Sequence, residues 1–290
     1  MMSARFLTVV LERAFNMRDG FGREIDYMRI SVIDSCNLNC YYCNPCDNNE
    51  HCHALNILSV KEVLCIVRAA TRLGIKHFRL TGGEPLLHPQ LDEMVLQIKK
   101  IPGVSSVSLT TNAVLLAQHA KWLKEAGIDS INVSLDTIDA SEYERITKKP
   151  LLEEVKHGIN AAIECGIRVK INVVLTPQTD VVALTRYVAK KGTDIRFIEM
   201  MPVGEGHTNG VEPYKKVIGT LSKLYGEPCR INTEKTKEIN SGNDKRKIPD
   251  NGPAEYYIFP ELGIRVGLIQ AIHGKFCDTC NRIRVTADGR

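Results

Sequence analysis

Residues 59–100 read SVKEVLCIVRAATRLGIKHFRLTGGEPLLHPQLDEMVLQIKK, and this stretch decides the fold. Val60, Val63, Leu64, Val67 and Ala70 recur at helical spacing. Ser59 and Glu62 form a capping-box pair at the start, and Gly74 is placed to end the helix. A short apolar run, His77–Leu80, follows as a strand. A Gly-Gly turn and a second amphipathic segment, Leu91–Lys100, complete a helix–strand–helix unit.

Working outward, the unit repeats. Met28–Ile33 reads as the first strand. Ser106–Thr110 leads to helix Leu116–Ala126, Ser130–Leu135 to Glu153–Cys165, Val169–Leu175 to Val181–Lys190, and Ile195–Met200 to Lys216–Leu224. Repeated β-α units imply parallel strands joined by right-handed crossovers. Six units fall short of a closed eight-stranded barrel, so the choice lies between a partial (β/α)6 TIM-like barrel and an open doubly wound sheet. In both, ligands gather at the C-terminal strand ends. There the sequence places Gly82–Pro85, Thr110–Asn112, Ser134–Asp136, Met201–Gly204 and a cysteine-rich loop. The polar segment Glu234–Pro253 reads as a solvated loop. Tyr256–Phe259 and Ile264–Leu268 read as a hairpin leading into a second cysteine pair.

Composition narrows the class. The chain has 290 residues and a net charge of +4, too mild a basic balance to imply nucleic acid but suited to a small anion. No apolar run reaches the roughly 18 residues of a membrane helix. Phe6–Val10 is too short for a signal-peptide core and is followed by Glu12 and Arg13. Of ten cysteines, five fall within Cys36–Cys52, which points to metal or redox chemistry in a reducing, cytoplasmic setting rather than to disulfides.

Three motifs carry chemistry. Cys36-x-x-x-Cys40-x-x-Cys43 can hold three corners of a cubane iron–sulfur cluster, leaving the fourth iron open to a small chelating molecule. The competing zinc reading needs a fourth ligand, from Cys46, Cys52, His51 or His53. Thr81-Gly-Gly-Glu-Pro85 follows a strand, where its glycines let a ligand approach the backbone. Cys277-x-x-Cys280 is followed by Arg282 and Arg284, which in an extended segment face the same way and make an anion site.

Cysteines spaced in this way, with Tyr42 before the third and Gly-Gly-Glu-Pro downstream, resemble the signatures of the radical S-adenosylmethionine (SAM) superfamily. From Phe21-Gly-Arg to Arg290 the chain more specifically resembles the MoaA family, the GTP 3′,8-cyclases of molybdenum cofactor biosynthesis. The resemblance rests on Tyr27-Met-Arg-Ile-Ser, Phe78-Arg-Leu-Thr-Gly-Gly-Glu-Pro, Leu109-Thr-Thr-Asn, Asn132-Val-Ser-Leu-Asp, Phe197-Ile-Glu-Met-Met-Pro and Phe276-Cys-Asp-Thr-Cys-Asn-Arg-Ile-Arg-Val-Thr-Ala-Asp-Gly.

The resemblance implies an α/β partial barrel with a C-terminal cluster-binding extension. It implies a 4Fe-4S cluster on Cys36, Cys40 and Cys43, with SAM held by Tyr42, Gly83, Ser134 and Met201. A second 4Fe-4S cluster at Cys277 and Cys280 would hold the purine, its third cysteine falling beyond Arg290. Arg29, Arg79, Thr110, Lys170, Arg282, Ile283 and Arg284 would contact GTP, with Arg282 and Arg284 also catalytic. The implied reaction takes the 3′ hydrogen of GTP with a 5′-deoxyadenosyl radical and closes the sugar onto C8, giving (8S)-3′,8-cyclo-7,8-dihydroguanosine 5′-triphosphate. Implied partners are GTP, an electron donor and a downstream cyclic pyranopterin synthase, with no nucleic acid or membrane and a homodimer left open. The expected organisation is a leader over 1–20, the barrel over 21–228 and an auxiliary-cluster region over 229–290 that reads as cut short. Alternatives are another radical SAM enzyme with an auxiliary cluster and a non-catalytic homologue that binds SAM or GTP.

Overall fold

The helix that opens the sequence argument is α1, Val60–Arg72. In the computed structural model, which describes residues 17–43, 56–201, 213–231, 252–274 and 277–290, Ser59 accepts from the Glu62 amide and Glu62 returns to the Ser59 amide, closing the capping box. Val63, Val67 and Ala70 are its buried stripe. The following helices are α2 Leu91–Lys99, α3 Leu116–Glu125, α4 Ala140–Thr147, α5 Leu152–Glu164, α6 Val181–Lys190 and α7 Pro213–Tyr225. Between them run β1 Tyr27–Ser31, β2 His77–Thr81, β3 Ser106–Thr111, β4 Ser130–Ser134, β5 Arg168–Leu175 and β6 Asp194–Glu199. Then come β7 Cys229–Ile231, β8 Glu255–Ile258, β9 Arg265–Ile269 and β10 Arg282–Val285.

All ten strands form one sheet in the order β10-β1-β2-β3-β4-β5-β6-β9-β8-β7. β1 to β6 follow one another with no reversal of order, which excludes the doubly wound alternative and matches a partial barrel. β10 and β7 are its two edges, so the sheet does not close. The parallel set is larger than the six strands read from sequence. β10 joins β1 and β9 joins β6, both in parallel, while β7 and β8 continue antiparallel beyond β9. The hairpin expected near Tyr256–Leu268 is β8–β9. Residues after 228 therefore supply both edges of one sheet. Helix α4 was not anticipated. Asp139 caps it by accepting from the Glu142 amide, and Lys148 ends it at a φ of 60°.

The parallel strands largely alternate. Ile30, Phe78, Leu80, Val107, Leu109, Ile131, Ile171, Phe197 and Val266 point to the helix layer and form its buried core. The intervening residues, on the other face, are largely polar. Purely parallel sheets usually bury apolar residues on both faces. Here the second face is available for a ligand.

Candidate functional site

The first cysteine loop leaves the C-terminal end of β1, as the sequence implied. Its seat is built by the Gly-Gly turn after β2, a role the sequence did not show. A Cβ on Gly83 would lie 2.1 Å from the Ser35 carbonyl oxygen and 2.5 Å from that of Asp34; on Gly82 it would lie 2.2 Å from the Ile33 carbonyl oxygen. The space the glycines free is therefore filled by the chain just before Cys36, not by a ligand. Gly83 N–H donates to Ile33 O at 2.7 Å and Glu84 N–H to Ser35 O at 2.8 Å, pinning the loop.

Sequence reasoning gave no role to Glu84, which is almost wholly buried. Its carboxylate accepts from Thr111 Oγ1 at 2.6 Å, Asn112 N at 2.7 Å and Leu86 N at 3.0 Å. Burial raises its pKa, opposed by these three donors. The bonds tie the Gly-Gly-Glu-Pro turn to Thr110–Asn112, and Asn112 Nδ2 in turn reaches Asn37 Oδ1 at 2.7 Å and Cys36 Sγ at 3.8 Å. The next residue, Ala113, is held at a φ of 66°, in the left-handed region.

The three thiols share one electrostatic environment. Burial pushes Cys40 up to about 12, helped by Asp136, Cys43 and Cys36; burial also raises Cys36, with Glu84 and Cys43 adding to it. The Leu38 amide donates to Cys36 Sγ at 3.5 Å. Among the described residues no three His, Cys, Asp or Glu side chains are gathered around a single ion position. A cubane differs in placing each thiolate on its own iron. The donor set fits such a group: three cysteines on one loop, mutual repulsion that bound iron relieves, and N–H groups directed at a ligand sulfur. Cys46, Cys52, His51 and His53, named for the zinc reading, lie outside the described residues.

Tyr42 donates to the buried Asp136, whose other oxygen accepts from Val174 N at 2.7 Å. Burial lifts Asp136 to about 6 and, together with that carboxylate, raises Tyr42. Tyr42, Gly83 after β2, Ser134 at the end of β4 and Met201 after β6 are thus arrayed around the cysteine end of the sheet; Ser134 and Met201 are exposed.

The cation set lies elsewhere. Arg29, Arg79 and Lys170 are not at the C-terminal strand ends where ligands were expected to gather. They are within β1, β2 and β5, on the polar face, and they line a cavity of about 270 Å³ toward the N-terminal ends of the strands. Arg168 and Arg282 border the same cavity. Arg79 Nε donates to Tyr27 Oη and its Nη1 to Thr110 Oγ1 at 3.3 Å, which places Thr110 beside the set. Arg282 lies 5.3 Å over the Tyr27 ring. Burial, then Arg282, Arg79 and Arg284, depress Arg29 to about 10 although the Tyr27 hydroxyl opposes them, and its Nε is buried without a hydrogen-bond partner. Arginines crowded at such cost call for a polyanion. The acidic residue in the lining, Asp129, is neutralised by Lys99 at 2.9 Å. Ile283 alternates away from Arg282 and Arg284 and packs against the apolar core, so its side chain faces away from the cavity.

Cys277 and Cys280 precede β10. That strand runs parallel to β1 in the register Tyr27↔Arg282, so the pair sits at the N-terminal end of the sheet, opposite the first cysteine loop. The separation is at least the ~13 Å rise of β1, and the cavity lies between. Arg23 clamps the Asp19 turn and donates to Cys277 O, while Asn281 Nδ2 donates to Asp26 Oδ1 at 2.6 Å. Glu199, also missed, accepts from the amides of Ile272 at 2.8 Å and His273 at 3.1 Å and from the His273 ring, anchoring the approach to the pair. No helix among the described residues is long and apolar enough to cross a membrane.

Two family models match the chain. The profile of the radical SAM superfamily matches residues 30–184, and that described as Molybdenum Cofactor Synthesis C matches residues 193–290. A GTP 3′,8-cyclase of Clostridium perfringens (strain SM101 / Type A) is 37% identical over 276 residues, 94% of this chain and 81% of that protein. One from Pelotomaculum thermopropionicum is 38% identical over 280 residues, covering 94% and 82%. Among solved structures, Streptococcus suis SuiB bound to S-adenosylmethionine aligns at a TM-score of 0.56 with 16% identity, over 69% of this chain and 47% of SuiB. Methylornithine synthase aligns at 0.55 with 16% identity, over 78% and 71%. These two establish the fold.

Proposed function

Because this chain belongs to the radical SAM family of GTP 3′,8-cyclases, we infer that it converts GTP to the 3′,8-cyclised nucleotide, the first step of molybdenum cofactor biosynthesis. The observation that carries this reading to the chain's own residues is the two-ended sheet. A seat for three thiolates lies at one end, a cysteine pair at the other, and a cavity rich in arginine lies between.

When bound, a four-iron cluster and SAM would supply the one-electron chemistry that starts the reaction. Cys36, Cys40 and Cys43 hold the cluster in this reading, and Glu84 and the Gly82–Gly83 turn keep their loop in place. Tyr42, Gly83 through its backbone carbonyl, Ser134 and Met201 hold SAM, Tyr42 being fixed by its bond to Asp136. Arg29, Arg79, Thr110, Lys170, Arg282 and Arg284 hold the triphosphate, and Ile283 contributes through its backbone, since its half-buried side chain packs against the core. Cys277 and Cys280 would supply two ligands of a second cluster, which would offer an iron site to the purine at the end of the sheet opposite the SAM seat. Arg282 and Arg284 act beside the reacting nucleotide, and their guanidiniums hold it still while the sugar closes on C8.

Product analysis tests this: Arg29→Ala and Arg282→Ala retain the first cluster but give no cyclised nucleotide, whereas Cys40→Ala loses both. Retained GTP turnover in the two arginine variants would overturn the assigned site.

A further inference from the structure

We infer that Arg168, with Ser108 and Ser130, reads the terminal phosphate and so sets the preference for a nucleoside triphosphate over a diphosphate. This rests on the cyclase reading above. The register places Arg29, Arg79, Ser108, Ser130 and Arg168 side by side on five neighbouring strands, all on the polar face. All five border the same cavity.

The two serines matter by being small. Between Arg79 and Arg168 lie three inter-strand steps, ~14 Å along the sheet. Larger residues at 108 and 130 would fill that space; serine leaves a slot floored by hydroxyls and flanked by guanidiniums. Ser108 is committed to the Phe78 carbonyl, to which its hydroxyl donates at 3.3 Å, so an oxygen lone pair and the open volume remain. Arg168 makes a long bond to the Asp129 backbone carbonyl at 3.4 Å, while the Asp129 carboxylate accepts from Lys99 and from Val107 N at 2.7 Å. The Asp129 carboxylate therefore does not claim the Arg168 charge. With Arg282 and Arg29 taking the phosphates nearest the ribose, Arg168 is the cavity's cation farthest from the β10 edge in its register row, where a third phosphate arrives last. A diphosphate ends before it.

The test is calorimetric titration of the anaerobically reconstituted chain with GTP and with GDP. Arg168 is exposed, so Arg168→Ala leaves the fold intact. The expected result is a loss of GTP affinity of about ten-fold, the scale of one charge-assisted bond, with GDP affinity unchanged. Arg168→Lys restores much of the preference, and Ser130→Val, which fills the slot, also weakens GTP selectively. Equal weakening of both nucleotides, or of neither, overturns the inference while leaving the cyclase reading standing. A wild-type chain that binds no GTP overturns that reading, and this inference with it.

Discussion

Replacing Gly83 with alanine tests how the first site is built. The added Cβ would lie 2.1 Å from the Ser35 carbonyl oxygen, where ordinary contact begins at 3.4 Å, so the loop before Cys36 must retreat by about 1.3 Å. The obstacle is backbone and cannot rotate away. Retreat breaks the Gly83–Ile33 and Glu84–Ser35 bonds, at about 1 kcal/mol each, and overpacking adds about 1–3 kcal/mol. The loss of roughly 3–5 kcal/mol falls on one loop, which then presents Cys36 out of place. The assay is iron and sulfide content after anaerobic reconstitution, with circular dichroism to follow the fold. Gly83→Ala should keep its helical spectrum, lose most of the first site's iron and cleave SAM at least about ten-fold more slowly. A variant that loads iron and cleaves SAM like the wild type would refute the claim that these glycines seat the cysteine loop.

Other perturbations follow from the same structure. Glu84→Ala strands three donors in the interior and should cost about 3 kcal/mol or more, a fall in melting temperature of several degrees; an unchanged melt would show that the donors find other partners. Arg29→Met removes a buried, crowded charge, so the anion-free protein should melt about 2–4 °C higher while GTP no longer stabilises it; a lower melting temperature without GTP would contradict the polyanion argument. For Glu199, burial works to raise the pKa, but the Ile272 and His273 amides and the His273 ring hold it below 4.5. A depressed carboxyl contributes stability above the unfolded value and loses it as the pH falls through the folded one. Urea melts of Glu199→Gln should accordingly converge with the wild type in acid and fall below it above about pH 5.

Much of this was legible in the sequence. Alternating strand and helix periods gave the β1–β6 core, and Ser59, Glu62 and Gly74 bounded α1 correctly. The cysteine loop and the Gly-Gly turn were found, but the turn's part in seating that loop was not. Glycine reports that something comes close, and spacing cannot say whether it is ligand or backbone; here it is Ser35. Edge strands escaped because β7 and β10 have three and four residues, too few to show a period, and β10 is recruited by pairing with β1 far away in sequence. The position of the cations did carry a signal. Arg29, Arg79, Ser108, Asn132, Lys170 and Arg196 interrupt apolar strands at every second residue, which marks a polar interior face rather than strand ends. Glu84 and Glu199 sat inside motifs that were recognised, yet their roles depend on amides from other segments.

The most direct test of the cyclase reading is 5′-deoxyadenosine formation by the anaerobically reconstituted chain, with SAM and dithionite, in the presence and absence of GTP. SAM cleavage that depends strongly on GTP and yields a 3′,8-cyclised guanine nucleotide is the predicted result. Cleavage indifferent to GTP, with no cyclised product, would leave a radical SAM protein whose arginine-lined cavity serves another anion.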